Sequence, residues 1–140
     1  MTDDHRALLA ASRLGILATI KRDGLPQLSP VQPFYDPEAG TLQVSMTEDR
    51  AKARNLRRDP RAAVEVTAPD GRSWATAEGP VTLTGPGGDP QGPEVEALVA
   101  YYRAASGGEH PDWDDYRATM VADRRVLMTM TVERVYGDSI

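Results

Sequence analysis

Short β-rich runs alternate with polar or Gly/Pro punctuation along this chain, and no apolar stretch lasts more than a few residues. The run Leu14 to Ile20 ends in Lys21-Arg22-Asp23-Gly24. Asp-Gly between extended runs signals a hairpin, because both residues tolerate positive φ. The returning run, Leu25 to Tyr35, carries Pro26, Pro30 and Pro33, so it predicts an edge strand or one interrupted by a bulge. A turn at Asp36 to Gly40 leads into the alternating strand Thr41 to Met46. Arg61 to Ala68 and Ser73 to Thr84 predict a hairpin about Pro69-Asp70-Gly71, and Val126 to Gly137 reads as one long closing strand.

Four helices fit between these strands. Asp3 or Asp4 caps the first, which runs to about Ser12 with Leu8 and Leu9 as its apolar contacts. The second follows Thr47, which begins an imperfect capping box, and stops before Pro60. Glu94 to Ala105 is amphipathic, and Asp112 caps a short helix over Trp113 to Val121. The glycines and prolines of 85–93 predict an irregular connection rather than a dinucleotide fingerprint. The expected class is mostly β with short helices (α+β). Six strands in neighbouring antiparallel pairs tend to close into a barrel, which removes exposed edges. With no internal repeat and no break in composition, residues 1–140 read as one domain.

Composition narrows the chemistry. Without cysteine the chain has no disulfide, thiolate nucleophile or sulfur-ligated metal, and two histidines argue against a multi-histidine metal site. No run approaches the roughly 20 apolar residues of a membrane span. The acidic start of the chain does not read as a signal peptide, so a cytoplasmic location without a membrane partner is expected. A net charge of −5 argues against a nucleic-acid partner. Yet Arg50, Lys52, Arg54, Arg57, Arg58 and Arg61 gather in one segment, opposed only by Asp59. Two readings stand for it. One is a solvated helix face, since Arg50, Arg54 and Arg57 recur at helical spacing. The other is a phosphate clamp, in which a helix N-terminus after Ser45 and Thr47 offers free N–H groups and Arg50 and Lys52 add charge.

The segments LGILATIKRDGLPQLSPVQ and VSMTEDRAKARNLRRDPRAAV, then a strand containing AEG, resemble the pyridoxamine-phosphate-oxidase-like flavin and deazaflavin reductases. The most specific piece is R-x-K-x-x-N-L-x-x-D-P-R, Arg50 to Arg61. WDDYR (113–117) and DRRVLMTM (123–130) resemble the short branch of that family that binds coenzyme F420. The resemblance implies a six-stranded antiparallel split β-barrel, a homodimer, and two equivalent cofactor sites at its interface. It implies that Ser45, Arg50 and Lys52 hold the cofactor phosphate, with Met46, Thr47 and Asn55 near. Arg54, Arg57 and Arg58 would face solvent or an anionic tail. The ring system would lie along Gln27, Ser29, Pro30, Val31 and Gln32. Trp74 and Ala77, within Trp74 to Glu78, and the Trp113 to Tyr116 turn would come from the partner subunit.

The function implied is hydride transfer between F420 and a small unsaturated substrate, such as an enone, a quinone or a biliverdin-like tetrapyrrole. An FMN-dependent oxidase or reductase is the alternative. A non-catalytic carrier or sensor of flavin, F420 or heme is a third. The C-terminal VERVYGDSI lacks the tryptophan, arginine and histidine that grip substrate phosphate in true pyridoxamine-phosphate oxidases, which speaks against that reaction. No side chain stands out as a proton donor, a role that solvent can fill.

Overall fold

A computed structural model describes residues 2–138; Met1, Ser139 and Ile140, which the one-domain reading includes, lie outside the described residues. The strands are β1 (Gly15–Ile20), β2 (Pro26–Val31), β3 (Phe34–Asp36), β4 (Thr41–Thr47), β5 (Arg61–Thr67), β6 (Trp74–Thr84), β7 (Arg125–Thr131) and β8 (Arg134–Asp138). The helices are α1 (Asp3–Ala11), α2 (Ala51–Arg58), α3 (Pro93–Ser106) and α4 (Trp113–Ala122). All strand pairings are antiparallel, in the order β2-β1-β5-β6-β7-β4-β3, with β8 pairing the first half of β6.

The six expected runs become eight strands because two of them break. The proline-rich run ends at Val31, skips Gln32 and Pro33, and resumes at Phe34 as β3. β2 pairs only with β1, the edge position that Pro26 and Pro30 demand. β2 and β3 occupy opposite ends of the strand order, yet two residues join them. Such a link spans roughly 10 Å at most. The sheet must therefore curl until its ends nearly meet, a half-open barrel consistent with a split barrel.

The second break corrects the reading of Val126 to Gly137 as one strand. Pairing with β6 slips by one residue between Val81↔Met130 and Glu78↔Arg134. The extra residue is a bulge at Val132-Glu133, where the Glu133 N–H donates to the Glu78 carbonyl at 3.0 Å. Opposite the bulge, a Cβ on Gly79 would stand 1.9 Å from the Thr131 carbonyl oxygen. Only glycine lets the backbones approach this closely.

Alternation then sorts the side chains. Leu17, Leu42, Val44, Met46, Val64 and Met128 point into one core, which Leu56 of α2 and Leu9 of α1 complete. Val95, Leu98 and Val99 of α3 are also buried, and α3 packs on β7, so β7 is covered on both faces. The α1 cap is Thr2, whose hydroxyl accepts the His5 N–H, rather than Asp3 or Asp4; those two occupy the first turn. Asp112 caps α4 as expected, by accepting the Asp115 N–H. No helix among the described residues is long and apolar enough to cross a membrane.

Gly79→Ala should cost at least about 3 kcal/mol through the forced clash with backbone. Gly88→Ala, where a Cβ meets nothing within 4 Å, should stay within about 0.5 kcal/mol of the parent. Urea unfolding of both variants checks this, and equal midpoints would remove the close-approach argument.

Candidate functional site

The seam of the barrel holds a cavity of about 360 Å³, lined by Pro30, Val31 and Gln32, by Ser45 and Lys52, and by Tyr101, Tyr102, Tyr116, Met120 and Arg125. Each element delivers its residue for a local reason. β2 brings Pro30 and Val31 because it stops at the seam. On β4, Leu42, Val44 and Met46 face the core, so Ser45 faces the other way. On α2, Ala53, Asn55 and Leu56 are buried, and Lys52 sits at the border of that face.

α2 begins at Ala51, later than a capping box at Thr47 predicts. Its N-cap is Arg50, no side chain caps it, and no acid lies in its first turn. The Thr47 hydroxyl instead hydrogen-bonds Asp49 and, with Arg50 and Arg54 nearby, holds that carboxyl below its usual range. An uncapped helix start beside two cations favours an anion.

The cations divide into two groups. Arg57 grips Glu48 with both arms at 3.2 and 2.9 Å and donates to the Gly85 carbonyl at 2.8 Å. Arg58 donates to the Ile20 carbonyl and to Asn55 Oδ1, and Arg54 to the Asp49 carbonyl. All three are exposed, as residues that face solvent or an anionic tail would be, and each also fastens a segment in place. By contrast, among the described residues no carboxylate lies within ion-pair distance of Arg50, Lys52 or Arg125. Partial burial, with Arg50 and Arg125 nearby, pushes the Lys52 ammonium below the usual lysine value. Burial pushes the Tyr101 phenol up and carries Tyr116 to about 12. Both hydroxyls stay neutral donors, Tyr101 to the Gln32 carbonyl and Tyr116 to the Leu98 carbonyl, each at 3.0 Å. Arg125 Nε, in the cavity lining, is buried with no hydrogen-bond partner, as are Ser29 Oγ and His5 Nδ1, which do not line the cavity. Such a site suits a phosphate-bearing group.

The other sequence candidates distribute as follows. Thr47 lies on the same strand as Ser45, opposite Arg125 in the ladder, and Arg50 stands exposed at the helix cap. The Met46 and Ala77 side chains are in the core, leaving only their backbone to a ligand. Asn55 is buried and donates to Thr19 Oγ1 at 3.1 Å and Gln27 Oε1 at 3.2 Å, which ties α2 to the first hairpin. Gln27 and Asn55 also border a basic groove of about 700 Å³ with Lys21, Arg22, Arg54 and Arg58. Trp74 meets Tyr136 edge-on at 5.9 Å and does not line the seam cavity. Glu78 borders a separate cavity of about 660 Å³ on the outer sheet face, with Ala18, Ile20, Pro26 and Ala63. Its two arginines, Arg61 and Arg134, are paired with Asp59 and Glu78.

Arg125, Tyr101, Tyr102 and Met120 are additions that sequence reasoning did not assign. Tyr116, expected as a partner wall, lines the cavity of its own chain. Tyr102 and Tyr116 also join His110 and Trp113 in a ring cluster, with centroids 5.2 to 5.7 Å apart, that binds α3 to α4.

A curled antiparallel half-barrel with two cations at its seam is consistent with the split-barrel class. The chain matches the model of the pyridoxamine 5'-phosphate oxidase family over residues 1–137 and belongs to that family. It is similar to an F420 reductase at 24% identity, covering 97% of this chain and 98% of that one, with a TM-score of 0.72. A conserved hypothetical protein, Rv2991 from Mycobacterium tuberculosis, is similar at 25% identity over 98% and 84% of the two chains, with a TM-score of 0.73. A heme binding protein from Mycobacterium smegmatis is similar at 22% identity over 97% and 52%, with a TM-score of 0.69.

The depressed Lys52 pKa has two pH consequences. With no anion present, charged Lys52 opposes folding at neutral pH. That penalty fades as pH rises through its folded pKa, where the native state sheds its proton before the unfolded chain does. An anion reverses the preference by favouring the ammonium. Phosphate affinity should therefore begin to fall as pH rises through the Lys52 pKa of the anion-free protein, which lies below the ordinary 10.5. Calorimetric titration with inorganic phosphate across that range measures it; a flat profile would place the anion away from Lys52.

Proposed function

We propose that this protein is an oxidoreductase that binds coenzyme F420 in preference to FMN and moves hydride between it and a small unsaturated molecule. The observation that carries the reading is the pair Arg50 and Lys52, neither within ion-pair distance of a carboxylate among the described residues, at an uncapped helix start on the connection that follows Ser45. Ser45, Arg50 and Lys52 hold the cofactor phosphate, with Thr47 close by. The ring system runs along Gln27 to Gln32, where β2, an edge strand with two prolines, has no partner on its outer side. The basic groove beside Arg22 and Arg54 suits the glutamate tail that F420 carries and FMN lacks. When bound, the deazaflavin supplies the hydride chemistry, and the protein positions the acceptor and limits water. Similarity to an F420 reductase supports the same choice.

The heme binding neighbour favours a second reading, a non-catalytic binding protein. Neither His5 nor His110 lines the seam cavity, and His110 Nδ1 accepts the Asp112 N–H at 2.9 Å, so heme ligation from that side is less suited. Fluorescence titration with F420 and FMN decides among the cofactors. F420 should bind at least about tenfold more tightly than FMN, and the reverse order would transfer the proposal to FMN. Lys52→Ala should weaken F420 binding by about tenfold or more while the fold persists, because a charge-assisted hydrogen bond contributes roughly 1.5–3 kcal/mol.

The active unit of this proposal is a homodimer in the cytoplasm. The outer face of β1 and β2 leaves Ile16, Ala18 and Ile20 half-buried and Leu28 64% exposed, an apolar surface around the 660 Å³ cavity. A second copy seated there would bring Trp74 to Glu78 toward the other chain's cofactor. Light scattering at micromolar concentration should give twice the 15.2 kDa chain mass; a monomer would sink the interface.

A further inference from the structure

We infer that Arg125 is a second anion-recognition residue, which grips a phosphate group from β7 while Lys52 grips it from α2. The inference rests on reading the seam cavity as the phosphate site.

Four observations lead to it. Arg125 opens β7 directly opposite Thr47, so its side chain reaches the cavity that Ser45 and Lys52 line. Its Nε is enclosed and has no acceptor, and no aromatic ring stacks beneath its guanidinium among the described residues. Other arginines are used differently. Arg57, Arg61, Arg103 and Arg117 hold carboxylates, and Arg13, Arg54 and Arg58 hold backbone carbonyls. Arg6, Arg22, Arg50, Arg72 and Arg124 also lack a partner, but they are exposed, where water satisfies them. Arg125 is half-buried, and a buried donor without an acceptor costs free energy that an incoming anion recovers.

The backbone holds the preceding residue in place. Arg124 has a left-handed φ of +52°, which a non-glycine residue adopts at a cost, and its carbonyl accepts the Glu48 N–H at 3.0 Å. That strained turn from α4 delivers Arg125 opposite the last residue of β4, Thr47. Two like charges then share one small cavity, each raising the cost of the other, a placement that supports anion binding and opposes the stability of the empty protein. A guanidinium supplies a fork of donors and an ammonium a point charge, so together they suit the several oxygens of a phosphate ester.

The test uses the full chain, inorganic phosphate as probe, and the variants Arg125→Gln, Arg125→Lys and, as an exposed control, Arg72→Gln. Calorimetry should show phosphate binding weakened at least about tenfold in Arg125→Gln, partly restored in Arg125→Lys, and within about twofold of the parent in Arg72→Gln. Without phosphate, Arg125→Gln should melt no lower than the parent, and the Lys52 pKa measured by NMR should rise once its neighbour is neutral. A structural arginine would do the opposite. A lower melting temperature without phosphate, unchanged phosphate affinity, or no phosphate binding by the parent would each overturn the assignment. If Arg125→Gln does not fold, a folded Arg125→Lys with phosphate affinity below the parent's supports it, and parental affinity in Arg125→Lys or loss of folding in both variants overturns it. Phosphate binding that depends on Arg125, with neither F420 nor FMN bound, would keep this inference and discard the cofactor proposal.

Discussion

Closure of the sheet through Gln32 and Pro33 is the constraint on which the rest of the structure depends. Two residues cannot span more than roughly 10 Å, so β2 and β3, at opposite ends of the strand order, must be brought together. Hydrogen bonding across that junction would complete the barrel. Pro26 and Pro30 lack N–H groups, and β2 takes no partner beyond β1. The seam therefore stays open at the point where α2 and α3 arrive. Tyr101 holds α3 to the seam through the Gln32 carbonyl, and Asn55 holds α2 to the first hairpin through Thr19 and Gln27.

Electrostatics at the seam run against the rest of the molecule. The chain carries −5 overall, and several of its arginines pair with carboxylates or donate to backbone carbonyls. Lys52 and Arg125 are placed together with neither. Partial burial makes this arrangement more unfavourable than the same charges would be on a wet surface. Local rules broken without visible compensation are expected at functional sites. The depressed Lys52 pKa and the left-handed Arg124 are two expressions of that same tension.

Family membership and the geometry answer different questions. The match over residues 1–137 gives the family and the barrel. Neighbours at 22 to 25% identity include a reductase and a heme binding protein, so the shared fold leaves chemistry to the residues at the seam. There, the cation-lined seam cavity and the basic groove are what the proposal of a long phosphorylated ring cofactor rests on.

Much of this was legible one residue at a time. Asp23-Gly24 marked its hairpin because glycine reaches φ +89 without strain, and Asp112 marked a helix start because its carboxylate accepts a nearby N–H. The three prolines announced an edge, and Arg50 to Arg61 left two readings open, a solvated helix face or a clamp for an anion. Local chemistry was silent on long-range partners. Nothing near position 57 in the sequence says that Arg57 takes Glu48 and the Gly85 carbonyl and so leaves the basic cluster. Nothing near position 125 says that its arginine lies opposite Thr47, a pairing made across almost eighty residues of chain. The one-residue bulge after Thr131 is equally hidden, because it arises from the meeting of β6 with a returning strand. The sequence by itself determined the elements, their turns and the presence of surplus positive charge, since each depends on neighbours within a few residues. Tertiary structure decided which cations are spent on structure and which remain free for a ligand, since that choice depends on what the closing barrel brings within hydrogen-bond reach.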